Sequence, residues 1–142
     1  MDKALNYMAL AKKARLVELG EEPVGAAARA NHARLVVVAK DATDHTRRRA
    51  KSFVSGTDQQ CVTVPFTKAE LGLSVGRTEL ALAAFTDAAL ALAFLKALEQ
   101  PAAYSEALES LEKRSSRIQQ RQKEAKAAAR NKRFGKTPSK KK

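Results

Sequence analysis

The stretch Arg34-Leu35-Val36-Val37-Val38-Ala39-Lys40-Asp41-Ala42-Thr43-Asp44 decides the fold. Its centre is apolar and β-branched, too short for a buried helix, and closed abruptly by polar turn-formers. Such a run suits a strand covered on both faces. Thr43 or Asp44 can then cap a following helix by accepting hydrogen bonds from its first free N–H groups. A central strand that feeds a helix is half of a βαβ unit, and the rest of the chain reads as layers around it.

Working outward, residues 2–14 read as a helix with Asp2 as cap, and 15–19 as a short strand ended by Gly20. Glu21-Glu22-Pro23 opens a second helix through Ala30, since acidic residues and proline suit a first turn. After the central strand, 44–55 form a third helix carrying Arg47-Arg48-Arg49 and Lys51, read as a solvated face. Val62-Thr63-Val64-Pro65 reads as a further strand. Thr67 and Glu70 form a capping box at the start of a fourth helix, with 75–79 as the turn after it. Leu80–Phe85 reads as the last strand, and Thr86-Asp87 cap an apolar fifth helix to Leu98. The alternation predicts a three-layer α-β-α sandwich over residues 1–100, with a basic helical extension in 101–142.

Charge separates these two parts. The whole chain has 27 Lys+Arg against 15 Asp+Glu, yet residues 1–100 carry 14 and 11, a net of +3. Residues 101–142 carry 13 and 4, and all 13 cations lie at or beyond Lys113. A polyanion, nucleic acid above all, is the natural partner of such a segment. The extension lacks the large apolar face that membrane insertion needs. Within it, Tyr104, Leu108, Leu111 and Ile118 fall at helical spacing. Residues 102–112 are expected to dock on the body, 113–130 to form a solvated basic helix and 131–142 to be disordered. Candidate phosphate contacts are Lys113, Arg114, Arg117, Arg121, Lys126, Arg130, Lys132 and Arg133. With Phe134 alone to stack on a base, the extension supplies affinity rather than sequence choice.

Catalytic and metal chemistry find no support in these residues. His32, His45 and Cys61 show no metal-ligand spacing, and no nucleophile–base–orienter set or glycine-rich phosphate loop is present. No cofactor is expected. The single cysteine, the absence of a membrane-length apolar run and an N-terminus without a signal pattern lead to the expectation of a cytoplasmic protein.

Several short strings, in consistent order over about residues 5–98, carry a resemblance. They are Leu10-Ala11-Lys12-Lys13-Ala14-Arg15, Gly20-Glu21-Glu22, the run Leu35 to Ala42, Phe66-Thr67-Lys68-Ala69-Glu70-Leu71-Gly72, Gly76, and Phe85-Thr86-Asp87. In these the chain resembles the kink-turn RNA-binding ribosomal proteins of the L-seven-Ae and L-thirty-e type, particularly their small bacterial homologues. The resemblance implies a non-enzymatic sandwich that binds RNA; the expected partner is structured RNA, ribosomal RNA foremost, without DNA specificity, and the oligomeric state stays open with a monomer favoured. It implies an RNA surface made of Gly20, Glu21 and Glu22 with the start of their helix, and of Gly76, Arg77, Thr78 and Glu79. Lys13, Arg15, Lys40 and Asp41 are implied at or near it.

The chain departs from the family's RNA box, which is Gly-x-Asn-Glu followed three residues later by Lys. Here Glu22 stands at the Asn position, Pro23 at the Glu position and Ala26 at the Lys position. Two glutamates partly cancel the positive field of the helix end, and a phosphate contact is lost with the lysine. Glu22 can still accept hydrogen bonds from a guanine edge. A competing reading from another class is a protein-interaction adaptor that has lost RNA and docks a partner through the 102–118 helix.

Overall fold

The computed structural model describes residues 2–133; at 118, 119, 122, 126 and 128–133 it describes the helical backbone alone. The central run forms β2 (Leu35–Val38), and all four of its residues are buried, as a strand covered on both faces requires. Around it stand β1 (Val17–Leu19), β3 (Gln60–Thr63) and β4 (Leu82–Phe85), in the sheet order β1-β4-β2-β3. β3 lies parallel to β2, while β4 runs antiparallel to both β1 and β2. The helices among the described residues are α1 (Lys3–Lys13), α2 (Glu21–Arg29), α3 (Asp44–Val54), α4 (Lys68–Ser74), α5 (Ala88–Ala97) and α6 (Ser105–Arg133). α2 packs on α3, while α1 packs on α4 and α5 and α6 packs on α5. The expected three-layer sandwich is the observed one.

Local chemistry explains the helix starts. The Asp2 carboxylate accepts from Ala4 N–H, Thr43 from Thr46 N–H and Asp87 from Leu90 N–H. At α4 both halves of the capping box are made: Thr67 Oγ1 accepts from Glu70 N–H at 3.1 Å, and Glu70 Oε1 accepts from Thr67 N–H at 2.9 Å. Phe85 of β4 meets Phe94 of α5 with ring centroids 5.0 Å apart, in the middle of one core that also takes Met8, Val24 and Leu71.

Some expected boundaries move. β3 starts two residues earlier than expected and ends at Thr63. The side chain of Gln59, 3% exposed, fixes that start: it accepts from Ala33 N–H at 3.0 Å and donates to the Ala28 carbonyl at 3.1 Å. One buried amide thereby ties the end of α2 and the entry of β2 to the entry of β3. α6 continues three residues beyond Arg130, because the sequence from Ala127 to Arg133 is Ala, Arg and Lys apart from Asn131 and holds no Gly or Pro. The expectation of disorder over 134–142 lies outside the described residues.

The extension also docks as expected. Tyr104, Ala107 and Leu111 are buried against the body, and Leu108 packs at its margin. That overturns the free stripe of the adaptor reading: the face meant for a partner is turned inward, and Ile118's side chain lies outside the described residues.

Candidate nucleic-acid interface

Strand directions collect one set of loops. Because β1, β2 and β3 run one way and β4 the other, the exits of the first three and the entry of β4 lie at the same end of the sheet. Val38 pairs with both Thr63 and Leu82, and Gly20 N–H donates to the Leu82 carbonyl at 3.0 Å. The loops at Gly20, at Lys40-Asp41, at Phe66 and before Leu80 are therefore neighbours.

Gly20 makes the first of these turns possible. It is the N-cap of α2 at φ 96°, a conformation that a side chain would strain. The Arg77 guanidinium lies over it, 3.9 Å from where a Gly20 Cβ would stand. The two loops of the expected RNA surface thus meet. Arg77 is held there by Gly72: the Arg77 N–H donates to the Gly72 carbonyl at 2.8 Å, and the loop backbone passes too close to Gly72 for a Cβ to fit. Gly76, at φ 77°, turns the chain between them.

Charge at this end is arranged by long-range ties that the sequence does not announce. Arg49 Nε meets Glu21 Oε1 at 2.5 Å while its guanidinium stacks on Phe53, so one of the two glutamates at the α2 N-terminus is paired. Arg47 donates to the carbonyls of Ala42 and Lys40 and so braces the loop after β2. These two arginines correct the reading of the 47–51 cluster as a merely solvated face; Arg48 and Lys51 are exposed. Asp41 Oδ1 accepts from Lys68 N–H at 2.8 Å, which commits that carboxylate to the start of α4. Glu22, Lys40, Arg77, Thr78 and Glu79 are all exposed, and among the described residues no carboxylate pairs with Lys40 or Arg77. α2 starts at this end with no side chain capping its first N–H groups, so an anion approaching there meets backbone N–H dipoles as well as cations.

Two expected members are not brought to this cluster. Arg15 closes α1 in the left-handed conformation, φ 60°, and leads into β1 at the end of that strand opposite Gly20. The neighbouring Leu16 carbonyl accepts from Thr86 N–H, which places the turn beside the exit of β4. Lys13 belongs to the same turn, as the last residue of α1. Its neighbour Lys12, not singled out by the sequence, reaches within 3.8 Å of a Gly76 Cβ position and is the cation of that pair that approaches the loops.

α6 has its own geometry. Tyr104 Oη donates to the Thr63 carbonyl at 3.0 Å, at the exit of β3, and burial pushes the Tyr104 hydroxyl's pKa up. Ten residues later Arg114 Nη2 meets Asp58 Oδ1 at 2.5 Å, before the entry of β3. Ten helical residues rise about 15 Å and five extended ones about 16 Å, so α6 runs antiparallel along β3. Arg114, mostly buried, is a tie to the body rather than an open phosphate contact. Lys113 pairs with Glu109 at 3.4 Å on the exposed face; Arg117 and Arg121 are exposed. The side chains of Lys126, Arg130, Lys132 and Arg133 lie outside the described residues.

Among the described residues no three His, Cys, Asp or Glu side chains come close enough to hold a metal ion, and His32 and His45 are exposed and separate. Burial pushes the Cys61 thiol up to about 11 against the lowering effect of Lys51, far from a reactive thiolate. No helix among the described residues is long and apolar enough to cross a membrane.

No family model and no curated protein matches the chain. Solved structures do. A protein of unknown function from Bacillus halodurans superposes with a TM-score of 0.65 at 24% identity, covering 70% of this chain and 100% of that one. The 15.5 kD RNA-binding protein of Giardia lamblia superposes with a TM-score of 0.56 at 17% identity, covering 75% of this chain and 85% of its own. At these identities the likeness is one of fold: the chain shares its α-β-α architecture with both.

Proposed function

We propose that this chain is a non-enzymatic, cytoplasmic RNA-binding protein of the ribosomal kink-turn-binding type, acting as a monomer on ribosomal or another structured RNA. In this reading the end bearing Gly20–Glu22 and Gly76–Glu79 recognises the shape of a folded RNA, and the cations of α6 contact phosphates elsewhere on the same RNA. The observation that carries it is the seating of the Arg77 guanidinium over the Gly20 turn, at the positive end of α2. The structural likeness to an RNA-binding protein supports the same reading. Loops on a rigid sheet fit only a groove of matching contour, which suits RNA read by shape. Glu22, beside them and exposed, is the acceptor for a guanine edge.

The test is a titration of the full chain and of its Arg77→Ala variant with a kink-turn RNA and with a plain duplex of equal length. The wild type binds the kink-turn RNA at least tenfold more tightly, and Arg77→Ala removes most of that margin while leaving duplex binding unchanged. Equal affinity of the wild type for both RNAs refutes shape recognition. Cosedimentation with ribosomal particles, lost at high salt, distinguishes a ribosomal target from a free RNA.

A further inference from the structure

The antiparallel course of α6 along β3 decides where its cations go. The helix starts beside Thr63, at the end of the sheet that carries the Gly20 and Arg77 loops, and passes Asp58 at the opposite end. Residues 115–133 therefore continue past the body, away from those loops, for about 28 Å. Charge changes sign along the same axis. The two turns beside the body hold Glu106, Glu109 and Glu112 without a cation, whereas 113–133 hold nine cations and Glu124 alone. Lys113, Arg117 and Arg121 succeed one another at four-residue steps and form one exposed ridge. An RNA seated on the loops meets the acidic segment of α6 before any part of that ridge. The ridge begins some 16 Å from the loops, beyond a Debye length at physiological salt.

We propose that the chain is bivalent: α6 is a projecting basic arm that binds a second double-helical RNA segment, on the far side of the body from the segment held by the loops. The protein thereby bridges two parts of a folded RNA instead of gripping one site with both surfaces. The proposal rests on the reading of the loop end as an RNA site. Double-helical RNA is the occupant that fits a helical ridge of exposed cations at regular four-residue steps, because its phosphates form a regular anionic rail.

The experiment uses the full chain, a kink-turn RNA and a differently labelled plain RNA duplex of about 16 base pairs, the span of shape-read duplex sites. Saturating kink-turn RNA is expected to leave duplex binding in place, giving a complex that contains both labels. The variant Arg117→Gln/Arg121→Gln/Lys123→Gln keeps its affinity for the kink-turn RNA and loses at least tenfold for the duplex. Its duplex salt slope falls by about 2.7, from three lost phosphate contacts. Mutual exclusion of the two RNAs, or an equal loss of both in the arm variant, overturns the proposal. So does tighter capture of a DNA duplex or of vesicles rich in anionic lipid than of the RNA duplex. Failure of the wild type to prefer the kink-turn RNA overturns the loop reading instead, and is seen before the duplex is added.

Discussion

Gly72→Ala tests how the body holds its recognition loop. Gly72 lies inside α4, and an added Cβ would stand 2.8 Å from both Cα and N of Glu79 and 2.9 Å from the Arg77 carbonyl oxygen. These are backbone atoms, so no side-chain rotation relieves the contact. To reach ordinary contact at 3.4 Å the 77–79 segment must retreat by about 0.6 Å. Overpacking of this kind costs roughly 1–3 kcal/mol, and the alanine returns up to about 1 kcal/mol of helix propensity. A net loss of about 1–2 kcal/mol lowers Tm by roughly 3–6 °C in a chain of this size. The retreat also carries Arg77 off the Gly20 turn, so affinity for a kink-turn RNA falls about tenfold, some 1.4 kcal/mol. Thermal unfolding followed by circular dichroism and RNA titration below Tm measure the two effects. Leu73→Ala, at a side chain 73% exposed on the same helix, is the control and changes neither. A Gly72→Ala protein with raised Tm and unaltered RNA binding would show that the loop is not braced on α4, and would refute the reasoning.

Three further outcomes follow from contacts elsewhere. Leu111→Ala removes a side chain with no exposed surface where α6 meets the body; it is expected to destabilise the protein by about 2–5 kcal/mol in urea titration. Tyr104→Phe deletes the hydrogen bond to the Thr63 carbonyl and costs about 0.5–1.5 kcal/mol, with protease cleavage in α6 rising while the sandwich stays intact. For Cys61, a thiol pushed up to about 11 from 9.0 is about 100-fold less ionised at pH 8 than an ordinary one. Alkylation should be slower by that factor and accelerate as pH rises towards 11; rapid labelling at neutral pH would mean the strand edge opens. The sign is that of a neutral group favoured by folding: its contribution to stability is whole below pH 9 and lost as pH climbs towards 11.

What the sequence disclosed was local. β2 was legible because burial on both faces leaves a run with no polar alternation, and the capping box at Thr67 and Glu70 because its partners are three residues apart. Helix and strand order followed, and with it the sandwich. The candidate site was half legible: the family resemblance implies Gly20 and Arg77 on one surface, and the Gly20 hydrogen bond to β4 and the approach of Arg77 make them neighbours. The pairing of Glu21 with Arg49, 28 residues on, was not legible, since nothing in either neighbourhood names the other. Gln59 carries no sequence mark of its burial, because its two partners come from the far end of α2 and the approach to β2. Arg15 misled for a geometric reason: it lies only five residues before Gly20, but those residues are a strand, and a strand carries the chain to the other end of the sheet.

The same rule governs the extension, and it shows why charge alone places nothing. A basic segment after a sandwich reads as a flexible hand that closes over whatever the body holds. The direction of α6 denies it that role. Tyr104 and Arg114 fix two points along β3, and a helix that buries Ala107 and Leu111 between them has no freedom to turn back. Had the connection after α5 been one strand-length longer, the helix could have entered beside Asp58 and delivered its cations to the loops. The tie between Arg114 and Asp58 thus does more than bind two charges: it commits one of the first two members of the basic run to holding the remainder pointed away, and turns an electrostatic tail into a directed arm.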